Sequence, residues 1–145
     1  MSYPIHPENN NLKKYYLHCK YKLDKSLMSN TTSFATKYIP VEGMEDVEWQ
    51  IRITTSHDGY RQSARFWGIY LDVKSTVPIK CEGSFEIASE ENSVFKQFHG
   101  NTNMSSTIGI SDFIDHNLLF GKKQKFFVDQ KTALYVNATF SFTTK

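Results

Sequence analysis

Cysteine is scarce. Cys19 and Cys81 are the only two, too few for a disulfide-stapled scaffold or a zinc centre, and they read as core thiols in a reducing compartment. Glycine and proline are sparse as well, at seven and four, while 39% apolar and 22% charged residues match globular averages, which excludes a fibrous or disordered chain. No stretch approaches the roughly 18 consecutive apolar residues of a membrane-spanning helix, and residues 1–11 are polar, without the apolar segment of a secretory leader. The expectation is a protein inside the cell, in cytoplasm or nucleus, with no membrane as partner. An excess of one charge is lacking too: 17 Lys+Arg against 15 Asp+Glu leave +2, too little for a phosphate-tracking field over the whole surface.

What the chain has is aromatic and alternating. Aromatics reach 14% in 145 residues, a length that predicts one domain and a composition that favours pleated sheet. Residues 1–13, with Pro4, Pro7 and an Asn9-Asn10-Asn11 run, have no apolar periodicity and are expected to form a tail before a domain over 14–143. Tyr15, Leu17, Cys19, Tyr21 and Leu23 alternate with polar residues, as do Val47, Trp49, Ile51 and Ile53. This period of two marks half-buried strands. In 66–74 the same parity turns Trp67, Ile69, Leu71 and Val73 inward and leaves Phe66 and Tyr70 outward beside Asp72 and Lys74. Ile79, Cys81, Phe85 and Ile87 continue the pattern with Gly83 interrupting it, which predicts a bulge or a close contact there. Turns are expected at His57-Asp58-Gly59, at Glu90-Glu91-Asn92 and near Asp129-Gln130-Lys131. A short strand over 94–98 and a polar loop over 99–107 follow, then one short helix near 111–119 with Ser111 as its N-cap, and a long central strand over 134–142. Seven or eight strands without βαβ alternation predict an antiparallel sandwich or barrel.

Chemistry-bearing patterns are few. His18, His57, His99 and His116 lack the spacing that puts two ligands on one metal ion and read as lone surface histidines, and neither a nucleophile elbow nor a phosphate-cradling glycine loop is present. The expectation is a non-catalytic protein that needs no cofactor. Lys13-Lys14-Tyr15-Tyr16 and Lys20-Tyr21-Lys22 interleave bases with aromatics, as a single-strand nucleic-acid groove in a β-barrel would. The small net charge and the acidic run Glu42, Glu45, Asp46 and Glu48 argue against nucleic acid as partner. A structural sandwich that self-associates through exposed aromatics is the other alternative.

Several blocks in order resemble the MATH (meprin and TRAF homology, TRAF-like) family. Val41-Glu42-Gly43 before Trp49-Gln50-Ile51-Arg52-Ile53 resembles its glycine-then-W-x-I/L-x-V stretch. Phe66-Trp67-Gly68-Ile69-Tyr70-Leu71-Asp72-Val73 is similar to its Y-L-S-L-Y-L strand, and Ile108-Gly109-Ile110-Ser111-Asp112-Phe113-Ile114 with Leu118-Leu119 to its W-G-F-x-x-F-I…L segment. The first strand departs from the pattern, having no tryptophan, so Trp49 is expected to supply the core indole alone.

The resemblance implies an all-β fold, an eight-stranded antiparallel sandwich that binds short linear peptide motifs in a shallow groove. In MATH-BTB relatives of the speckle-type POZ kind, such domains capture Ser/Thr-rich segments for cullin ubiquitin ligases. Here a BTB partner or a BTB domain elsewhere would have to supply that link. Carried over, the groove comprises Tyr70, Phe66, Gly83, Phe98, Ile108, Gly109, Ile110 and Ser111, with Ile108 and Ile110 in place of two aromatics. Residues 1–13 show no heptads, so a monomer is expected.

Overall fold

The computed structural model describes residues 13–30, 32–57, 65–88, 93–103, 105–120, 126–127 and 133–144. The expected tail up to residue 12 and the turns at 58–59, 90–92 and 129–131 lie outside the described residues. In chain order the elements are β1 (Lys14–Asp24), α1 (Lys25–Asn30), β2 (Ser33–Ala35), β3 (Ile39–Pro40), β4 (Glu48–His57), β5 (Arg65–Lys74), β6 (Pro78–Ala88), β7 (Ser93–Asn103), β8 (Ser106–Asp115), α2 (His116–Phe120) and β9 (Ala133–Thr144). Two antiparallel sheets result. Sheet A has the order β1-β9-β6-β7, and sheet B the order β2-β4-β5-β8, with β3 also on β4.

The protein is therefore an all-β sandwich of the two-sheet shape found in TRAF/MATH-type folds. Among the described residues nine strands stand where eight were expected, because one edge strand is interrupted. β2 and β3 both pair with β4, and Thr36 between them exchanges bonds with Ile51: its N–H donates to the Ile51 carbonyl (3.0 Å), and its hydroxyl accepts from the Ile51 N–H (3.1 Å).

Three local expectations give way. Residues 111–115 are the end of β8, and the helix spans only His116–Phe120. Its cap is Asp115, whose Oδ1 accepts from the Asn117 N–H (2.7 Å) and the Leu118 N–H (3.3 Å), so Asp115 rather than Ser111 satisfies the first-turn donors. A second helix, α1, starts where Asp24 Oδ1 accepts from the Ser26 N–H (2.9 Å); at six residues it is too short to show a 3.6-residue period. The polar stretch expected as a loop is mostly strand, since β7 runs to Asn103 and β8 begins at Ser106.

The core lies between the sheets. Sheet A contributes Leu23, Val136, Phe140, Phe142, Ile79, Cys81 and Phe85, and sheet B contributes Trp49, Ile51, Ile53, Trp67, Ile69, Leu71 and Val73, all buried. Trp49 meets Phe140 edge-on at 5.0 Å between ring centroids, joining the two sheets. Trp49 is not the sole core indole: Trp67 is 1% exposed and donates its Nε1–H to His116 Nδ1 (3.0 Å). His116 is thus half-buried and engaged, not a lone surface histidine. The close contact expected at Gly83 is present without a register break: a side chain there would collide with the Thr139 carbonyl and with Phe140 Cβ.

Candidate functional site

β7 closes sheet A on one side and β8 closes sheet B on the same side, so the chain crosses from one sheet to the other between Asn103 and Ser106. The two edge strands approach closely along this open side. A Cβ at Gly100 of β7 would sit 3.1 Å from Ile108 Cδ1 of β8. Lys96 Nζ donates to the Asp112 carbonyl (3.0 Å) and lies 5.8 Å from the Phe113 ring centroid. The β5–β8 register slips here: between Trp67↔Ile114 and Ile69↔Ile110, the three residues Ser111, Asp112 and Phe113 stand opposite Gly68 alone. The slip lets consecutive residues Phe113 and Ile114 both turn inward, where Phe113 meets Phe85 of the other sheet edge-on.

The outer face of sheet B carries a polar and aromatic cluster. Tyr70 stands opposite Arg52 on β4 and Gly109 on β8. A Cβ at Gly109 would meet Tyr70 Cδ1 at 2.6 Å and the Ile69 carbonyl, and one at Gly68 would meet Tyr70 Cε2 at 2.8 Å. The phenol therefore lies along the sheet, occupying space that two glycines leave open, with the Arg52 guanidinium 4.6 Å from its centroid.

One row away, the Asp72 carboxylate ties three strands together. It accepts from Gln50 Nε2 (2.7 Å), Arg52 Nε (2.9 Å), Arg52 Nη2 (3.2 Å) and the Thr107 hydroxyl (2.7 Å). Burial would raise the pKa of Asp72, but the hydrogen bonds from Arg52, Thr107 and Gln50 and the guanidinium charge outweigh it and hold the pKa below its ordinary value. The same pairing raises the pKa of Arg52. A cavity of about 420 Å³ beside this network is lined by Tyr38, Arg52, Asp72, Lys74, Ser105 and Ser106 among others, with the Lys74 ammonium 3.9 Å from the Tyr38 ring centroid.

The residues carried over from the family resemblance fall into three settings. Phe66, Tyr70, Gly109 and Ser111 line up on or beside the outer face of β5 and β8. Ile108 and Ile110 occupy the opposite parity of β8, opposite Leu71 and Ile69, and pack against the core. They do not share a face with Tyr70. Gly83 and Phe98 belong to sheet A and stand opposite each other; Phe98 is 8% exposed and stacks on Phe85 at 4.5 Å, so it is a core ring at the open side. What joins the sets is β8 itself, which presents Gly109 to one side and Ile108 and Ile110 to the other. Arg52, Asp72 and Tyr38 were missed by sequence reasoning, although Arg52 and Asp72 carry the outward parity of Tyr70 on adjoining strands; Thr107, with Ser106 and Ser111, reads from the sequence as a source of polar contacts to a peptide.

No group of three or more His, Cys, Asp or Glu side chains among the described residues is placed to hold a metal ion. Burial, with Glu82 adding to it, pushes the Cys81 thiol up to about 12, and burial also raises the Cys19 thiol, so both are held in the unreactive protonated form. No helix among the described residues is long and apolar enough to cross a membrane. No protein-family model matches the chain, and a search of curated proteins returns no match.

Proposed function

We propose that the chain is a MATH-type peptide-recognition module whose ligand adds as a strand to the free edge of β8, with Tyr70, which reaches over Gly109 of β8, contacting it on the outer face of sheet B. The observation that carries this is the composition of that edge. Residues 106–111, Ser-Thr-Ile-Gly-Ile-Ser, contain no charge and no proline, so neither of these guards stands on the row of N–H and C=O groups that an edge strand leaves unpaired. The other edges are guarded: β1 by Lys20 and Lys22, the β2/β3 edge by its break and Pro40, and β7 by Lys96 bonded across to β8.

β5 has hydrogen-bonded neighbours on both sides, so a ligand meets it only through side chains such as Tyr70. Small hydroxyl-bearing residues on β8, namely Ser106, Thr107 and Ser111, suit a Ser/Thr-rich ligand. The role as an adaptor that hands bound segments to a cullin-type ligase through a BTB partner rests on the family resemblance alone.

The test is titration of the isotope-labelled protein with Ser/Thr-rich peptides carrying an apolar anchor. Strand addition is expected to shift the amides of 106–111 and of Tyr70, to weaken about tenfold in Ser111→Lys, and to weaken by ~1–3 kcal/mol in Tyr70→Ala. Unchanged 106–111 amides in a folded spectrum would remove the proposal. Concentration-dependent sedimentation without peptide would instead assign the edge to self-pairing.

A further inference from the structure

A second recess lies on the opposite side of the molecule, on the outer face of sheet A. Its shape follows from the order of side-chain sizes across the strands. One row reads Tyr16, Ser141, Glu82, His99 from β1 to β7, and the next reads His18, Thr139, Ser84, Gln97. Long side chains stand on the two outer strands and short ones on much of the middle, leaving a trough of about 580 Å³. Three strand spacings make it ~14 Å wide. Lys14 reaches over β9 to Glu82 (3.2 Å) and bounds one end.

The lining selects a ligand class. Lys14 and Glu82 offset each other, so no net charge calls for an ion. Phe98 and Phe140 turn their rings to the core, against Phe85 and Trp49, and offer the trough no apolar pocket for a peptide side chain. β9 and β6, which form the floor, are each paired on both sides, so an extended peptide finds no backbone ladder. What the trough does offer is the hydroxyls of Ser84 and Thr139, with that of Ser141 buried at the floor, the amide of Gln97, the Lys14–Glu82 pair, and one aromatic ring, Tyr16, at 77% exposure with the Lys14 ammonium 5.3 Å from its centroid. Hydroxyl, amide, carboxylate and ammonium groups satisfy vicinal hydroxyls, and an exposed ring at the rim suits the C–H face of a pyranose.

We propose that this trough binds a short neutral oligosaccharide, with a sugar ring against Tyr16 and its hydroxyls on the β9 and β6 side chains. The site is independent of the β8 edge. The experiment is amide chemical-shift mapping of the whole chain with three neutral trisaccharides, maltotriose, cellotriose and N,N′,N″-triacetylchitotriose, each to about 10 mM. The expected result is saturable shifts at Ser84, Gln97, Thr139 and Ser141 with at least one of them, weakened about fivefold or more in Tyr16→Ala, whose exposure leaves the fold intact. Three outcomes overturn the proposal: no shifts with any of the three sugars, shifts that Tyr16→Ala leaves unchanged, or shifts at these amides with Ser/Thr-rich peptides instead.

Discussion

β1 and β8 are both terminal strands of their sheets, yet they are built on opposite plans. β1 alternates half-buried Tyr15, Leu17, Cys19 and Tyr21 with exposed Lys14, Tyr16, His18, Lys20 and Lys22, and Lys20 sits 4.4 Å from the Tyr135 ring centroid of the next strand. β8 places Thr107, Gly109 and Ser111 on the corresponding exposed parity and carries no charge before Asp112. A strand added to β1 would have to pass the ammonium groups of Lys20 and Lys22 and their hydration; one added to β8 would meet no such charge before Asp112. An unguarded edge is thus a local exception in this molecule, and exceptions of that kind are where binding is best sought.

The largest way to break the contrast is to remove the geometry that keeps β8 flat against β5. Gly109→Val would drive a side chain into the Ile69 carbonyl and Tyr70 Cα, backbone that cannot yield, and is expected to lower the unfolding free energy by about 3 kcal/mol in urea titrations. Asp72→Asn is expected to cost about 2 kcal/mol at neutral pH, because it loosens the charge-assisted link from β5 to β4 and β8.

That second difference should depend on pH in a defined direction. The folded pKa of Asp72 is below the ordinary 3.8, so its contribution is complete above that value and is lost as pH falls through the lower folded one. Urea midpoints of wild type and variant should therefore differ at neutral pH and converge as the pH falls through the lowered folded pKa of Asp72. The smallest stability effect tests the guarded edge. Replacing Lys20 and Lys22 by Thr should leave the unfolding free energy within about 0.5 kcal/mol, while sedimentation becomes dependent on concentration as β1 edges begin to pair.

Legibility from the residues followed burial. β1, β4, β5 and β9 each hold one face against the core, so their alternation was plain, and the outward placing of Tyr70 and Phe66 followed from it. β7 and β8 are edge strands whose exposed positions include His99, Asn101, Thr107 and Ser111, and such stretches look like loops because little of their pattern is enforced by burial. The faces of Ile108 and Ile110 could not be read by carrying Tyr70's face across the alignment, because adjacent positions on β8 point apart: Gly109 is the residue opposite Tyr70. The Asp72 network was missed for another reason. Its three partners come from two other strands, and only the register brings Gln50, Asp72 and Thr107 into one row.

The pairing of β1 with β9 has a consequence for how the chain is made. Lys14 stands opposite Thr143 and Asp24 opposite Ala133, so β1 is synthesised about 110 residues before β9, its only described strand partner. Sheet B comes entirely from residues 33–115 and can assemble while translation continues. Until β9 leaves the ribosome, β1 is an orphan with Tyr15, Leu17, Cys19, Tyr21 and Leu23 in search of cover. Lys14, Lys20 and Lys22 on its other face give that strand charge through the interval before its partner exists, the same feature that discourages edge pairing in the folded protein.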